Sequence, residues 1–281
     1  MVAGTLYVVA TPIGNLGDIT QRAVDTLSAV DGILAEDTRH SAVLLNHYRI
    51  DTPLRSYHEH SDASVAGALL DRLAGGESLA LISDAGTPLI ADPGYKLVNQ
   101  ARERGIPVVP IPGACAMVAA LSVAGLPTDR FRFEGFLPAK AEARRKRLEG
   151  LQGESASLLF YESPHRIEAA LQAMVETFGA SRRAVIAREL TKRFESLLDG
   201  TLDELLEQVR SDRNQRRGEL VIVVAGSEAE DAGDQAESDR ILRILLDALP
   251  ASQAASLAAQ ITGQRKKALY QRALALKPGD S

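Results

Sequence analysis

A segment of twelve residues, 83–94, follows a short apolar run and contains two aspartates, two glycines and two prolines. Glycine lets a backbone approach a ligand closely, and proline limits the entropy lost when binding orders a loop. Asp84 stands at the end of the apolar run, where no local structural role accounts for it. Asp92 precedes Pro93 and could instead begin a helix as its N-cap, so a structural role stays open for that residue. We predict that this segment binds a polar ligand.

Other segments also place polar or small residues directly after an apolar run. They are the turn 10–18, the polar group 36–40, the small-residue stretch 111–116, and the segments 161–166 and 188–195, which mix acids, bases and hydroxyls. Backbone amides at such turns can receive a polar ligand. The sequence contains neither GxGxxG nor GxxxxGK[ST], which lowers the odds of a P-loop phosphate site. For each segment the alternative is structural, as an ordinary turn, a helix cap or a surface ion pair.

Strands and helices must bring these segments together, and the first part of the chain alternates short apolar runs with helical patterns. The predicted strands are 5–10, 32–35, 54–57, 79–83 and 108–111. This alternation predicts a mostly parallel sheet with helices on both faces. Ligands of such sheets bind beyond the carboxyl ends of the strands, which is where the segments above lie.

A second set of apolar runs predicts a second α/β domain. Its strands are expected at 130–133, 158–161, 184–188 and 220–225. Two helix starts have typical signals: Ser163-Pro164, as an N-cap before a proline, and Thr201 with Glu204, as a capping box. The hinge between the domains is expected near 112–127.

The predicted domain organisation has four parts: an N-terminal α/β domain at 1–112, a second α/β domain at 113–227, an acidic linker at 228–239 and a helical module at 240–281. In the module, two amphipathic helices flank a break at 262–264. One interpretation is a helix-turn-helix whose basic residues 265–267 meet phosphates. The other is a helical hairpin that docks on its own protein or on a dimer mate.

Charge and composition restrict the function classes. The 281 residues carry 32 basic and 37 acidic side chains, a net charge of −5, with 45% hydrophobic residues, the balance of an ordinary globular chain. Segment 228–239 holds six acids and no base, so the rest of the chain totals +1. Only a uniformly basic nucleic-acid binder is excluded. The single cysteine excludes an internal disulfide and a Cys-rich zinc site, and we expect no metal.

The apolar runs are also short. The longest, 220–225, has six residues, where a membrane-spanning helix needs about 20. The N-terminus does not show the charged-then-apolar pattern of a signal peptide. We therefore expect a cytoplasmic protein with no membrane partner.

Six motifs in the same order resemble a known enzyme family. They are VATPIGNLGDIT at 9–20, AEDTRHS at 35–41, SDAGTPLIADPG at 83–94, IPGACA at 111–116, FYESPHR at 160–166 and ARELTKRFE at 187–195. Each alone is a weak signal, but six in register are specific. The sequence resembles the tetrapyrrole-methylase superfamily of S-adenosylmethionine-dependent methyltransferases. It is most similar to the branch that methylates the 2′-hydroxyl of a cytidine in 16S ribosomal RNA. The tail from 240 is similar to a C-terminal helical module of many members.

The resemblance implies two α/β domains with S-adenosyl-L-methionine in the cleft between them, plus the small helical module. It implies that the substrate is small-subunit rRNA or the assembled 30S subunit, and that the protein is a homodimer. The cofactor would contact the first turn, the loop after the fourth strand, the stretch after the fifth strand and parts of the second domain. The implied residues are Pro12, Asp84, Ala85, Gly86, Thr87, Pro88, Pro112, Gly113, Ala114, Tyr161 and Arg188.

Methyl transfer to a ribose hydroxyl defines what else the site needs. The enzyme must align the hydroxyl with the methyl group and exclude water, and a base within hydrogen-bond reach would help. The candidate bases are Glu36, Asp37, Asp84, Glu189 and Lys192, the last only if its pKa is lowered. The sequence does not choose among them.

Arginine suits the positioning of RNA phosphates, because its planar guanidinium can hold two oxygens. The single candidates are Arg39, Arg166, Arg188 and Arg193. The unbroken basic run Arg144, Arg145, Lys146 and Arg147 could also contact phosphates, or could be a solvated helix face.

Two other functions remain open. A tetrapyrrole C-methyltransferase of the precorrin type belongs to the same superfamily, but such enzymes usually have a more glycine-rich first turn than the one around Pro12. This difference favours RNA as the substrate. A DNA-binding regulator that uses the C-terminal helices is the alternative from another class.

Overall fold

The computed structural model describes residues 4–57, 63–92, 94–227, 229–264 and 266–276. Within them, the chain forms two five-stranded sheets followed by three helices. The first sheet contains β1 (Leu6–Val9), β2 (Gly32–Ala35), β3 (Leu54–Ser56), β4 (Leu79–Leu81) and β5 (Val108–Ile111). Its order is β3-β2-β4-β1-β5, and all its pairs are parallel, as the sequence predicts.

Helices cover both faces of the first sheet. They are α1 (Gln21–Ala29), α2 (Thr38–His47), α3 (Ala63–Ala74) and α4 (Tyr95–Glu103). Leu27 of α1 and Leu45 of α2 pack on one face, whereas Leu70 of α3 and Leu97 of α4 pack on the other. Each of these leucines is buried, which stabilises the fold by about 2 kcal/mol per side chain.

Side-chain caps start the two helices on the first face. The Thr20 hydroxyl accepts a hydrogen bond from the Ala23 amide at the start of α1. The Asp37 carboxylate accepts bonds from the amides of Arg39 and His40 at the start of α2. Both caps satisfy amides that have no partner within the helix. The cap of α2 fixes the polar segment that follows β2.

The second sheet is mixed. Its elements are α5 (Ala116–Val123), β6 (Phe131–Phe136), α6 (Ala141–Glu149), β7 (Ser157–Glu162), α7 (Ile167–Phe178), β8 (Arg183–Arg188), β9 (Ser196–Thr201), α8 (Leu202–Ser211) and β10 (Leu220–Val224). The strand order is β6-β7-β10-β8-β9; β6 and β7 are parallel, and the other pairs are antiparallel. Helices α6, α7 and α8 pack on one face of this sheet and α5 on the other.

Two predicted helix starts have opposite outcomes. The capping box of Thr201 and Glu204 is present at the start of α8, with both reciprocal hydrogen bonds. The start predicted at Ser163-Pro164 is wrong, because α7 begins at Ile167. There the Ser163 carbonyl accepts bonds from the amides of Arg166 and Ile167, so a turn precedes the helix.

The last three helices form a separate small core. They are α9 (Ala229–Leu246), α10 (Ala251–Thr262) and α11 (Lys266–Leu276). The buried face of α10 consists of alanines that pack against Leu242 of α9 and Leu269 of α11. Arg272 of α11 forms a two-bond ion pair with Asp239 of α9, with both distances 2.7 Å. Gly263 ends α10 in a left-handed conformation, at the predicted break. Helix α9 runs through most of 228–239, where the sequence predicts a linker.

Candidate active site

We call the first sheet with α1–α4 the first unit, and the second sheet with α5–α8 the second unit. A cavity of about 350 Å³ is lined by residues of both units. The first unit contributes Ile13 and residues of the loop 84–92, and the second contributes Phe136, Tyr161 and Glu162 among others. Most of the lining is apolar, with a few carboxyl groups. Size and lining are those of a typical small-molecule site.

Backbone and hydroxyl hydrogen bonds join three predicted segments at this cavity. The amides of Thr11 and Gly86 each donate to the other residue's carbonyl, at 2.8 and 3.1 Å. The Thr87 hydroxyl donates to the Ala114 carbonyl at 3.0 Å. The first turn, the loop after β4 and the stretch after β5 therefore form one connected wall.

The predicted cofactor residues divide into two groups. Five of them line the cavity: Asp84, Ala85, Gly86, Thr87 and Tyr161. The others lie in the supporting segments and are not among its lining residues: Pro12, Pro88, Pro112, Gly113, Ala114 and Arg188. A Cβ on Gly113 would stand 2.9 Å from the Ala10 Cβ, so this glycine permits the close approach of two segments. The Arg188 guanidinium donates to the Ser196 hydroxyl and the Phe194 carbonyl.

Two loops beside the cavity hold non-glycine residues in left-handed conformations. Leu89 and Ala91 have φ values of 71° and 66° in the loop after β4. Glu189 and Thr191 have φ values of 53° and 67° after β8. Such conformations cost about 1 kcal/mol or more each and occur often at functional sites. The surrounding contacts therefore hold both loops in shape.

Asp92 lies on the wall of the cavity and does not cap a helix. Helix α4 begins at Tyr95, and Gly94 occupies the N-cap position. Burial, and then the nearby Glu36 carboxylate, raise the pKa of Asp92 to about 6, although the Ser83 hydroxyl acts in the opposite direction. The sequence alone does not assign a role to Asp92, because Asp-Pro is also the signal of a helix start. A partly buried carboxyl group in a cavity is a candidate functional residue.

A second cavity, of about 450 Å³, adjoins the first and is polar. It is lined by Glu36, Asp37, Thr38, Arg39, Ser56 and Asp84. Asp84 lines both cavities, and its Oδ1 accepts a hydrogen bond from the Asp37 amide at 3.0 Å. The sequence prediction that Asp84 and the polar group 36–40 belong to one region is therefore consistent with the geometry.

Asp37 does not suit the role of a base. Its carboxylate caps α2 and accepts two hydrogen bonds from the Arg39 guanidinium. The hydrogen bond from the Arg39 side chain, followed by the one from the Arg39 amide, lowers the pKa of Asp37 to about 2. Such a carboxylate has little tendency to take up a proton near neutral pH. Its structural role accounts for its position.

Lys192 and Glu189 form an ion-paired group on the second unit. The Lys192 ammonium lies 2.9 Å from Glu189 Oε1 and 2.8 Å from Glu219 Oε2. Burial acts to lower the pKa of Lys192, but hydrogen bonds to Glu219 and Glu189 outweigh it, so this pKa is raised. Burial acts to raise the pKa of Glu189, but bonds from the Glu219 amide and Lys192 outweigh it, so this pKa is lowered. The condition for Lys192 as a base, a lowered pKa, is not met.

Lys192 also joins the two units through its carbon chain. A Cβ built on Gly14 of the first turn would stand 2.5 Å from carbons of the Lys192 side chain. Gly14 has a φ of 147°, which residues with a Cβ rarely adopt. Because Gly14 has no side chain, the carbon chain of Lys192 can pack against the first turn.

Aromatic rings form the wall of the cavity on the second unit. The Tyr161 ring lies edge-on to Phe133 and Phe136, with centroid distances of 4.8 and 5.7 Å. The Tyr161 hydroxyl accepts a hydrogen bond from the Met117 amide at 3.1 Å. Burial is the largest cause that raises the pKa of Tyr161 to about 12. Tyr161 is thus a neutral group at physiological pH.

Arg144 is a correction to the predicted RNA-contacting set. Its exposed fraction is 9%, whereas its neighbours Arg145, Lys146 and Arg147 are exposed. Arg144 lies near the buried Glu162, whose pKa burial raises while Arg166 and Arg144 lower it. The helical period of α6 turns this residue inward. Arg166 is also partly buried, and it donates a hydrogen bond to the Leu137 carbonyl.

The remaining predicted RNA contacts are exposed. Arg145 and Arg147 form ion pairs with Glu149 and Glu134. The Arg193 guanidinium lies over the Phe194 ring, 5.5 Å from its centroid. Arg39 keeps its pair with Asp37 while its side chain is 90% exposed. Arg39, Arg145, Arg147 and Arg193 can therefore reach a phosphate from solvent, whereas the more buried Arg144 and Arg166 are less accessible.

Comparison with known protein families identifies the class of protein to which this chain belongs. The family of tetrapyrrole (corrin/porphyrin) methylases matches residues 5–206, and the RsmI C-terminal HTH domain matches residues 232–277. The chain belongs to the tetrapyrrole methylase family, and the resemblance seen in the six motifs is confirmed.

Two individual relatives are similar to this chain over nearly its whole length. The ribosomal RNA small subunit methyltransferase I of Pseudomonas aeruginosa is 56% identical over 276 residues, which cover 98% of both chains. The protein of the same name from Escherichia coli O157:H7 is 51% identical over 271 residues, 96% of this chain and 95% of that one. Both similarities include the C-terminal helices.

Solved structures confirm the fold. The uroporphyrin-III C-methyltransferase of Thermus thermophilus has a TM-score of 0.57 at 19% identity, covering 79% of this chain and 94% of its own. A cobalt-precorrin-4 methyltransferase of cobalamin biosynthesis has a TM-score of 0.59 at 16% identity, covering 79% and 94%. At these identities the likeness concerns the architecture of the two α/β units.

Among the described residues, no helix has both the length and the apolar character that crossing a membrane requires. The same part of the chain shows no group of three or more His, Cys, Asp or Glu side chains arranged to hold a metal ion.

Proposed function

We propose that this protein transfers the methyl group of S-adenosyl-L-methionine to the ribose 2′-hydroxyl of a cytidine in 16S ribosomal RNA. The observation that supports it most strongly is the full-length similarity, at 51–56% identity, to two proteins named ribosomal RNA small subunit methyltransferase I. The cleft geometry agrees, because a small-molecule cavity adjoins a polar one whose lining includes the exposed Arg39.

The larger cavity fits S-adenosyl-L-methionine in chemistry. The cofactor has an adenine ring, a ribose and a cationic sulfonium, and it supplies an activated methyl group when bound. Aromatic and small side chains, Phe136, Tyr161 and Ala187, offer apolar surface to a flat ring. The carboxyl groups of Asp84 and Asp92 offer negative charge to a cation. The side chains present therefore match both parts of the molecule.

The chain's own residues can bind, orient and exclude water. The wall joined by Thr11, Gly86 and Thr87 is fixed before binding, so little ordering entropy is lost. The apolar lining, with Ile13, Leu190 and Val221, keeps water from the reacting groups. Asp37, Glu189 and Lys192 are engaged in ion pairs, and Asp84 lines both cavities, so Asp84 is the group that receives the hydroxyl proton.

The proposal includes the biological setting. We infer that the substrate is the rRNA within the small subunit or its assembly intermediates, that the enzyme works in the cytoplasm, and that it is a homodimer. Sedimentation of the purified protein tests the last point, because a mass of one chain would contradict it.

Mass mapping of ribose methylation in small-subunit RNA tests the reaction. RNA from cells with and without the gene would be digested and compared. We expect one 2′-O-methylcytidine to disappear with the gene and to return when purified protein and S-adenosyl-L-methionine are added to the deficient subunits. An unchanged methylation map would contradict the proposal, and methylation of a porphyrinoid instead would favour the tetrapyrrole alternative.

A further inference from the structure

The polar cavity beside the proposed cofactor site has no assigned ligand. Its lining residues are Glu36, Asp37, Thr38, Arg39, Ser56 and Asp84, with no aliphatic side chain among them. Its volume, about 450 Å³, is in the range of small-molecule sites. A cavity of this composition suits a ligand with several hydrogen-bonding groups.

The two cavities adjoin. Asp84 lines both of them. The Glu36 carboxylate, which lines the polar cavity, is close enough to Asp92 in the other cavity to raise its pKa. A ligand in the polar cavity would therefore face a ligand in the larger one across Asp84.

The charged side chains of the polar cavity differ in what they can still bind. The Asp37 carboxylate is used by the cap of α2 and by Arg39. The Arg39 guanidinium binds Asp37 through Nε and one terminal nitrogen, which leaves donors of its other terminal nitrogen for a further oxyanion. Within the described part of the chain, no lysine or arginine forms an ion pair with Glu36 or Asp84. Glu36 therefore remains as an acceptor for a neutral N–H donor.

This set of groups matches one class of ligand. A guanidinium binds a phosphate, and a carboxylate accepts from the exocyclic amino group of cytosine. Uracil has no exocyclic amino group and would leave the carboxylate unpaired, which costs binding energy. We propose that the polar cavity binds the acceptor nucleotide, with Glu36 on the amino group of its base and Arg39 on its phosphate. This inference rests on the proposed function and adds the location and the base selectivity of the acceptor.

Steady-state kinetics with methylation-deficient 30S subunits test the inference. Glu36→Ala and Arg39→Ala are expected to raise the KM for subunits about tenfold each, with kcat within threefold of the wild type. Glu36→Gln and Arg39→Lys should recover part of the loss, because each keeps one matching group. Calorimetry with S-adenosyl-L-homocysteine serves as the second measurement, and its Kd should change less than threefold.

Matched controls come from the same unit. Glu103→Gln on α4 and Arg22→Ala on α1 alter exposed side chains that do not line either cavity. Both should keep the KM of the wild type. The base selectivity has its own measurement, since mass mapping of RNA treated with the Glu36→Ala enzyme should show methyl groups on nucleotides other than cytidine.

Three results would overturn the inference. They are a KM for subunits that stays at the wild-type value in both alanine variants, a tenfold weaker Kd for S-adenosyl-L-homocysteine in Glu36→Ala, and unaltered base selectivity. The second would assign the polar cavity to the cofactor. Failure of the proposed function looks different, because the wild-type protein itself would then leave 30S subunits unmethylated.

Discussion

The two walls of the cleft carry their charges in different ways. On the first unit, the described residues include no cation paired with Glu36, Asp84 or Asp92, and burial, followed by the nearby Glu36 carboxylate, raises the pKa of Asp92. On the second unit, Glu189 and Glu219 are neutralised by Lys192, and Tyr161 is held neutral. The wall of the first unit therefore has carboxyl groups without a cationic partner. The wall of the second unit has apolar surface and ion-paired carboxylates.

This contrast indicates a division of labour. Uncompensated carboxylates destabilise the fold, so their presence points to a ligand that supplies positive charge or donors. Compensated pairs such as Lys192 with Glu189 instead fix the shape of a loop. We therefore expect substitutions on the first wall to change binding and substitutions on the second to change stability.

The largest effect is expected for Asp84→Ala. Asp84 belongs to both cavities and fixes the Asp37 amide, so its loss removes a charge and a hydrogen bond at the centre of the cleft. A charged hydrogen bond contributes about 1.5–3 kcal/mol, and kcat/KM should fall by about a hundredfold. The circular dichroism spectrum should stay that of the wild type. A variant with full kcat/KM would remove Asp84 from the site.

Asp92→Asn should weaken the binding of S-adenosyl-L-methionine about tenfold and at the same time stabilise the fold. The raised pKa of Asp92, about 6, means that the folded state holds its proton more tightly than the unfolded state. Wild-type stability should therefore fall as pH rises from about 4 to about 6. The Asn variant has no group that ionises here. Above about pH 6 its free energy of unfolding should therefore exceed that of the wild type by about 1 kcal/mol, after allowance for solvent screening.

Chemical denaturation at about pH 3 and about pH 7.5 measures this difference. The two proteins should have similar unfolding free energies at the lower pH, because Asp92 is then mostly protonated in both the folded and the unfolded state. An equal gain at both pH values would show that the effect comes from packing and not from the charge.

Lys192→Met should lower the free energy of unfolding by about 1–2 kcal/mol, because it leaves Glu189 and Glu219 without their cation. The Lys192 and Glu189 side chains are only 25% and 18% exposed, so solvent replaces the pair poorly. Arg183→Met is the matched control, since its pair with Asp199 is more than half exposed and should contribute less than about 0.5 kcal/mol. Equal losses in both variants would show that the partly buried Lys192–Glu189 pair contributes no more than an exposed one.

The smallest change per residue is expected on the exposed face of α6. Replacing Arg145, Lys146 and Arg147 by glutamine should weaken RNA binding a few-fold and reduce the slope of log affinity against log salt by up to about 3. Arg144→Gln is the contrasting variant. Because its side chain is buried, it should lower stability and leave the salt slope unchanged. A salt slope unaffected by the triple change would make this face a solvated surface.

The strand and helix pattern of the first unit could be predicted from the sequence because local signals agreed with the fold. Its five strands alternate with amphipathic helices, and the observed strands lie within the predicted ranges. In the second unit, β9 (Ser196–Thr201) was missed. Its residues alternate between partly buried and exposed positions and include Asp199 and Gly200, which are uncommon in strands. Pairing with β8 overrides that weak local preference.

Side-chain environments were harder to predict. From the sequence, Asp92 and Asp37 could each be a helix cap or a site residue. In the structure Asp37 is the helix cap, at the start of α2. The N-cap of α4, where Asp92 was a candidate, is Gly94. The inward position of Arg144 could be found from helical period alone, because Leu148 follows at i+4 and is buried. The ion pair between Lys192 and Glu219 joins residues 27 positions apart and leaves no local pattern.

Leu89 and Ala91 make the loop after β4 less stable than glycine would at the same positions, by about 1 kcal/mol for each left-handed residue. Relatives adapted to heat could therefore gain thermal tolerance here without any change to the cores. Two other left-handed positions of the same loop, Gly86 and Gly94, are already glycine and offer no such gain. A glycine at Ala91 would also widen the range of loop conformations in the free enzyme. Glycine at this single position should therefore raise thermal tolerance and lower the affinity for the cofactor.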